Sequence, residues 1–178
     1  MNAVRQITGA LLAAIVATAL EAQPGVAVPS VADLPLHVVR SGTPSARIAV
    51  LLSGDGGWAA FDRNLAARLA RDSIGVVGLD SRAYLGSTRA PDVVAADLAR
   101  ILRNFLGNWA ATRASIIGYS RGADIVPFAV NRLPPDVRKA VDQVVLIGLG
   151  DMANFTFHWQ DMVRVVKRPD DVPTRPEV

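Results

Sequence analysis

The chain has 178 residues, 51% hydrophobic and 20% charged, a balance that suits one globular domain rather than a disordered chain. It contains no cysteine, which excludes disulfide staples, redox thiols and thiolate metal sites, so stability must come from packing. The formal charge of +3 comes without a dense Lys/Arg run interleaved with aromatics, so nucleic acid is not an expected partner.

In chain order, Arg5 precedes an uncharged run from Ile7 to Leu20, followed by small residues and then Pro24 and Gly25. This predicts a secretory signal peptide over residues 1–22, with Ala17-Thr18-Ala19 as a cleavage site and Ala22 and Ala27 as later ones. An uncleaved membrane anchor is the alternative, but the apolar stretch falls short of the ~20 residues that a span needs. The expected product is a soluble, periplasmic protein. Residues 23–34 read as a linker, 35–168 as the folded domain and 169–178, with Pro169, Pro173 and Pro176, as a polar tail.

Leu36–Arg40 and Ile48–Leu52 read as two adjacent strands. The run Ser53-Gly54-Asp55-Gly56-Gly57 then leads into Trp58, Phe61, Leu65 and Leu69, whose three- and four-residue spacing predicts a helix with one apolar face. Val76–Leu79 is a further buried strand ending at Asp80, and a polar loop runs through Tyr84 and Arg89 to Pro91, a helix start. Val94, Leu98, Ile101, Leu102 and Phe105 share one helical face, and Gly107 closes that helix. Ser115–Ile117 is a strand, Ala123–Asn131 a helix, and Pro134-Pro135 a break before a further helix-like stretch and the strand run Val144–Ile147. Strands alternating with helices predict a three-layer α/β/α sandwich with a mostly parallel sheet and active groups beyond the strands' carboxyl ends. Asp55, Asp80, Ser120 and Asp151 all fall at such ends.

The sharpest chemical signal is Gly118-Tyr119-Ser120-Arg121-Gly122, a Gly-x-Ser-x-Gly motif between a strand and a helix. A serine used as a nucleophile must project from a tight strand-to-helix turn, and flanking glycines let neighbouring backbone pass close by. Ser120 is therefore the candidate nucleophile, against the alternative of a serine in an ordinary turn. The 53–57 loop has two readings: an oxyanion hole, or a phosphate cradle that lacks the Lys-Ser/Thr completing a nucleotide P-loop. Scattered Asp and Glu without histidine partners indicate no metal, and no cofactor is expected.

Together, Ser53-Gly54-Asp55-Gly56-Gly57-Trp58, Gly118-Tyr119-Ser120-Arg121-Gly122-Ala123-Asp124, Pro127-Phe128, Asn131-Arg132-Leu133-Pro134 and Phe155-Thr156-Phe157-His158 resemble the bacterial virulence-protein family of VirJ and AcvB, from about Val50 to the last residues. The resemblance implies an α/β-hydrolase fold and serine-type ester hydrolysis outside the cytoplasm, with small-molecule or lipid esters such as aminoacylated phosphatidylglycerol at a membrane surface as the substrate class. It also implies that the backbone N–H groups of Asp55 and Arg121 form the oxyanion hole, with Gly54, Tyr84 and Tyr119 against substrate. The sequence departs from the family at Arg121, where an aromatic is usual, and at Leu85-Gly86. By the same resemblance two further strands, a helix, the triad acid and the catalytic histidine would follow, so a C-terminally shortened, catalytically impaired member is expected. A non-catalytic periplasmic partner of type IV secretion proteins is the other functional class.

A serine needs a base within hydrogen-bond reach. The chain has two histidines. His37 lies in the first strand region, expected to be far from the active face. His158 with Asp151 preserves the order Ser, Asp, His and is a candidate base with its acid; the competing reading is a pocket-lining or packing role. Asp80 and Asp124 are candidates for substrate contact or for local capping, and Trp58, Phe61 and Phe128 read as core.

Overall fold

The computed structural model describes residues 28–158, 160 and 168–178, so the expected signal peptide lies outside the described residues. The elements are β1 (Leu36–Val39), β2 (Arg47–Leu52), α1 (Ala60–Arg71), β3 (Gly75–Leu79), α2 (Ser81–Tyr84), α3 (Pro91–Asn108), β4 (Arg113–Tyr119), α4 (Arg121–Asn131), α5 (Pro135–Arg138), β5 (Val141–Ile147), β6 (Met152–Ala153) and β7 (Val172–Pro173). A five-stranded sheet runs in the order β1-β3-β2-β4-β5, parallel throughout except for β1, and β6 and β7 form a separate antiparallel pair.

Central strands of a parallel sheet are covered on both faces, so they read as continuous apolar runs. In β2, Ile48, Val50 and Leu52 point to one face, where α3 contributes Leu98, Ile101 and Leu102 and α4 contributes Ile125 and Val126. Ala49 and Leu51 point to the other, against Ala66, Leu65 and Leu69 of α1. The result is the expected three-layer sandwich. Side chains alternate along a strand, so Tyr119 faces the α1 side, where it packs on Phe61 with ring centroids 4.2 Å apart. Gly118 faces α4.

Several elements differ from the sequence reading. α1 buries Asp62 and Ala66, whereas Phe61 is 41% exposed and is not core. The loop after β3 contains one helical turn, α2, because the Asp80 carboxylate accepts from Ala83 N at 2.9 Å and caps it. The helix-like stretch expected after Pro134-Pro135 is a single turn, α5. Residues 28–34, expected as linker, are part of the domain: Leu34 is buried, Arg100 donates to the Ser30 carbonyl and to Asp33, and Asn104 donates to the Pro29 carbonyl. The polar tail also docks. Val172–Pro173 pairs with β6, Thr174 is buried, and Glu177 accepts from Asn131 and Arg132 of the α4 end.

Candidate active site

Ser120 ends β4 and begins α4 with φ 51° and ψ −120°, a conformation an L-residue seldom adopts. Two backbone hydrogen bonds and two close approaches hold it there. Ser120 N donates to the Ile147 carbonyl at 2.8 Å, Asp124 N donates to the Ser120 carbonyl at 3.1 Å, and the flanking glycines permit closures that a side chain would block. A Cβ on Gly122 would lie 2.2 Å from the Leu52 carbonyl oxygen, and one on Gly118 would lie 2.5 Å from the Gly122 carbonyl oxygen. Both glycines of the motif are thus required by close approach, the reason inferred from sequence.

The 53–57 loop lies directly against this turn. A Cβ on Gly54 would meet Ser120 Cβ at 3.1 Å and the Tyr119 ring at 3.4 Å, so Gly54 and Tyr119 border the nucleophile. The loop is tied down from beneath: Ser53 N donates to the Leu79 carbonyl at 3.1 Å, Ser53 Oγ accepts from Ser81 N at 2.9 Å, and Asp80 accepts from Trp58 N at 3.2 Å. Asp80 is therefore a structural acceptor. The Arg121 guanidinium, buried at 9% exposure, pairs through Nε with the Asp55 carboxylate and donates through Nη1 to the Asn154 carbonyl at 3.1 Å.

Beside Ser120 a cavity of about 350 Å³ is lined by Asp55, Arg121, Asp124, Asp151, Asn154 and Asp171, among others. Asp124 Oδ1 accepts from Gly150 N at 2.7 Å. Burial pushes the Asp124 carboxyl up to about 6, with Asp55 adding to the effect and the Gly150 N–H and Arg121 opposing it. Asp171 accepts from Asn154 Nδ2 at 2.9 Å and from Arg168 N at 2.6 Å, so the docked C-terminal segment forms one wall.

Other candidates fall elsewhere. Tyr84, expected against substrate, is 1% exposed and donates its hydroxyl to Asp97 Oδ2 at 2.7 Å, so it is a core residue. Asp151 is exposed, lies on the cavity rim and pairs with Arg175 Nη2 at 3.7 Å. No hydrogen bond joins it to His158 among the described residues, and His158 is not among the cavity-lining residues. It follows Phe157, whose N–H is anchored on the Leu85 carbonyl at 2.7 Å. Among the described residues no hydrogen bond links Ser120, Asp151 and His158 into a triad. His37 corrects the sequence reading in another way: β1 is antiparallel, so its start lies at the carboxyl edge of the sheet, stacked on Trp58 at 5.0 Å. It remains three strands from β4, roughly 14 Å at ordinary strand spacing. Sequence reasoning left Asn154 and Asp171 unnoticed, because no periodicity marks residues that meet only through the docked tail. Asp124 had a visible signal, four residues after Ser120 and so on the same helix face.

A serine strained on a strand-to-helix turn at the top of a mostly parallel sheet is the arrangement of the α/β-hydrolase fold. The family described as bacterial virulence protein (VirJ) matches residues 46–175. The chain belongs to the VirJ family. Direct comparison with curated protein sequences gives no match. Among solved structures, this VirJ-family chain is similar to MenH from S. aureus, at 17% identity and a TM-score of 0.45 over 56% of this chain and 38% of that one. It is also similar to a lipase in its open form, at 15% identity and TM-score 0.49 over 61% and 37% of the two chains. A third is the siderophore hydrolase EstB from Aspergillus fumigatus, at 14% and 0.46 over 62% and 41%. The chain thus spans well under half the length of these three proteins.

Proposed function

We propose that this chain is an exported serine ester hydrolase of low turnover, acting on aminoacyl esters of phosphatidylglycerol at a membrane surface. The observation that carries the reading is Ser120, held at φ 51° where β4 meets α4 and opening onto a cavity rich in carboxylates. In the proposed reaction Ser120 Oγ attacks the ester carbonyl carbon as its proton passes to a base. The carbonyl electron pair moves onto oxygen, which accepts from the backbone N–H groups of Asp55 and Arg121. Collapse expels the alcohol, and water then releases the acyl group from Ser120. Two surfaces support the substrate class. The cavity on the α4 side holds Asp55, Asp124, Asp151 and Asp171 against Arg121 and Arg168, an environment suited to an acyl group carrying an ammonium. On the α1 side, Phe61 and Tyr119 present an aromatic step suited to an apolar ester portion.

Low turnover follows from the same geometry. No histidine among the described residues lines the cavity, and removing the base of a serine site costs orders of magnitude in rate even when the oxyanion donors survive. The test is release of free amino acid from vesicles of lysyl-phosphatidylglycerol, and of p-nitrophenol from a short-chain ester, by the purified chain and by Ser120→Ala. Slow release abolished in the variant supports the reading, and equal release by both overturns it. A second reading, a non-catalytic periplasmic partner of secretion proteins, is favoured by the outer edge of β5, which no strand among the described residues covers and where Val144 is 41% exposed. It predicts binding that Ser120→Ala leaves intact.

A further inference from the structure

The two proposed oxyanion donors belong to residues whose side chains also bind each other, and this coincidence has a physical use. Asp55 sits at the tip of a tight turn closed by Gly57 N donating to the Gly54 carbonyl at 3.0 Å, with a glycine on either side of it. Glycine-flanked peptide planes rotate at little cost, and the Asp55 N–H makes no backbone hydrogen bond among the described residues. Its orientation therefore depends on what holds the Asp55 side chain. That partner is the Arg121 guanidinium, itself buried and fastened to the Asn154 carbonyl at 3.1 Å. Arg121 in turn opens α4 directly after Ser120, so its own N–H moves with the nucleophile. Buried ion pairs contribute little net stability, because desolvation offsets attraction, which makes fixing a geometry the more telling consequence.

We propose that the Asp55–Arg121 side-chain pair is a positioning clamp that sets the distance between the two backbone oxyanion donors across Ser120. The inference rests on the hydrolase reading of the site. With the clamp intact, both N–H groups converge on one oxygen. Without it, the Asp55 peptide turns away, and the charge developing on the ester oxygen is stabilised less.

The experiment measures inactivation of the full chain by a fluorophosphonate probe, separating kinact from KI, for wild type, Arg121→Gln, Arg121→Lys, Asp55→Asn and the double variant Asp55→Asn/Arg121→Gln. Circular dichroism monitors folding, and the double variant leaves neither Asp55 nor Arg121 as a charge without the other. Loss of one oxyanion interaction costs on the order of 10²-fold, so each neutral single variant is expected to lower kinact by roughly 10- to 100-fold with KI little changed. Arg121→Lys should restore part of the loss, and the double variant should be no slower than the slower single. Unchanged kinact with only a lowered melting temperature overturns the clamp and leaves the hydrolase reading standing. Losses that multiply in the double variant also overturn it. A wild type labelled no faster than Ser120→Ala overturns the hydrolase reading, and the clamp with it.

Discussion

At the scale of single residues, backbone sterics around Ser120 dominate. Gly122→Ala would place a methyl group 2.2 Å from the Leu52 carbonyl oxygen, and backbone cannot yield as a flexible side chain can. We expect a loss of about 3 kcal/mol or more in urea unfolding, whereas Gly42→Ala, with nothing near its Cβ position, should be close to neutral. Asp124 gives a second prediction, in which the sign matters. Its folded carboxyl is raised from 3.8 to about 6, so its contribution is fully present below pH ~4 and is lost as pH rises through about 6. Asp124→Asn keeps an acceptor for Gly150 N and removes that loss. Allowing for partial solvent screening, the variant should gain about 1–2 kcal/mol at pH 7 and little at pH 4, read from thermal midpoints at the two pH values.

At the scale of elements, the helices that flank the site are positioned by polar contacts that hydrophobic patterning does not reveal. Tyr84 and Asp97 illustrate this: α2 meets α3 through a buried hydroxyl–carboxylate hydrogen bond of 2.7 Å, and burial with the Asp97 contact pushes the phenol well above its ordinary range. Tyr84→Phe leaves a buried carboxylate oxygen short of one donor and should cost about 1–3 kcal/mol. It should leave the KM for a short-chain ester unchanged. A raised KM with unaltered stability would instead return Tyr84 to the substrate site. The strands were readable because β2, β3 and β4 are covered on both faces and so carry mostly apolar buried runs. The short helices were not, because α2 depends on one capping carboxylate and α5 on one proline-started turn.

At the scale of the whole molecule, the sheet of the described residues ends at β5. Among those residues no strand pairs with its outer side, and its single charge, Asp142, is already held by Arg47 at 2.5 Å and Arg113 at 3.3 Å. An edge without lysine or proline is prone to pair with other edges. Light scattering of the purified chain should therefore rise with concentration, and Val144→Lys should lower it without shifting the melting temperature by more than a degree or two.

The order of strands and helices, the need for glycine on either side of Ser120, and the placing of Asp55, Ser120 and Asp151 beyond strand ends were determined by the sequence alone. Each follows from local rules, namely strand burial, helix periodicity and the space that a Cβ occupies. Tertiary structure alone decided that β1 runs antiparallel and brings His37 to the carboxyl edge, and that Tyr84 is buried against Asp97. It also decided that the C-terminal segment folds back, Asp171 walling the cavity while Val172–Pro173 pairs with β6 and Glu177 meets Asn131, and that Arg121 reaches across to Asp55. These contacts join residues between 13 and 66 positions apart. No local periodicity encodes such a pairing, because its energy arises only when both partners are desolvated together.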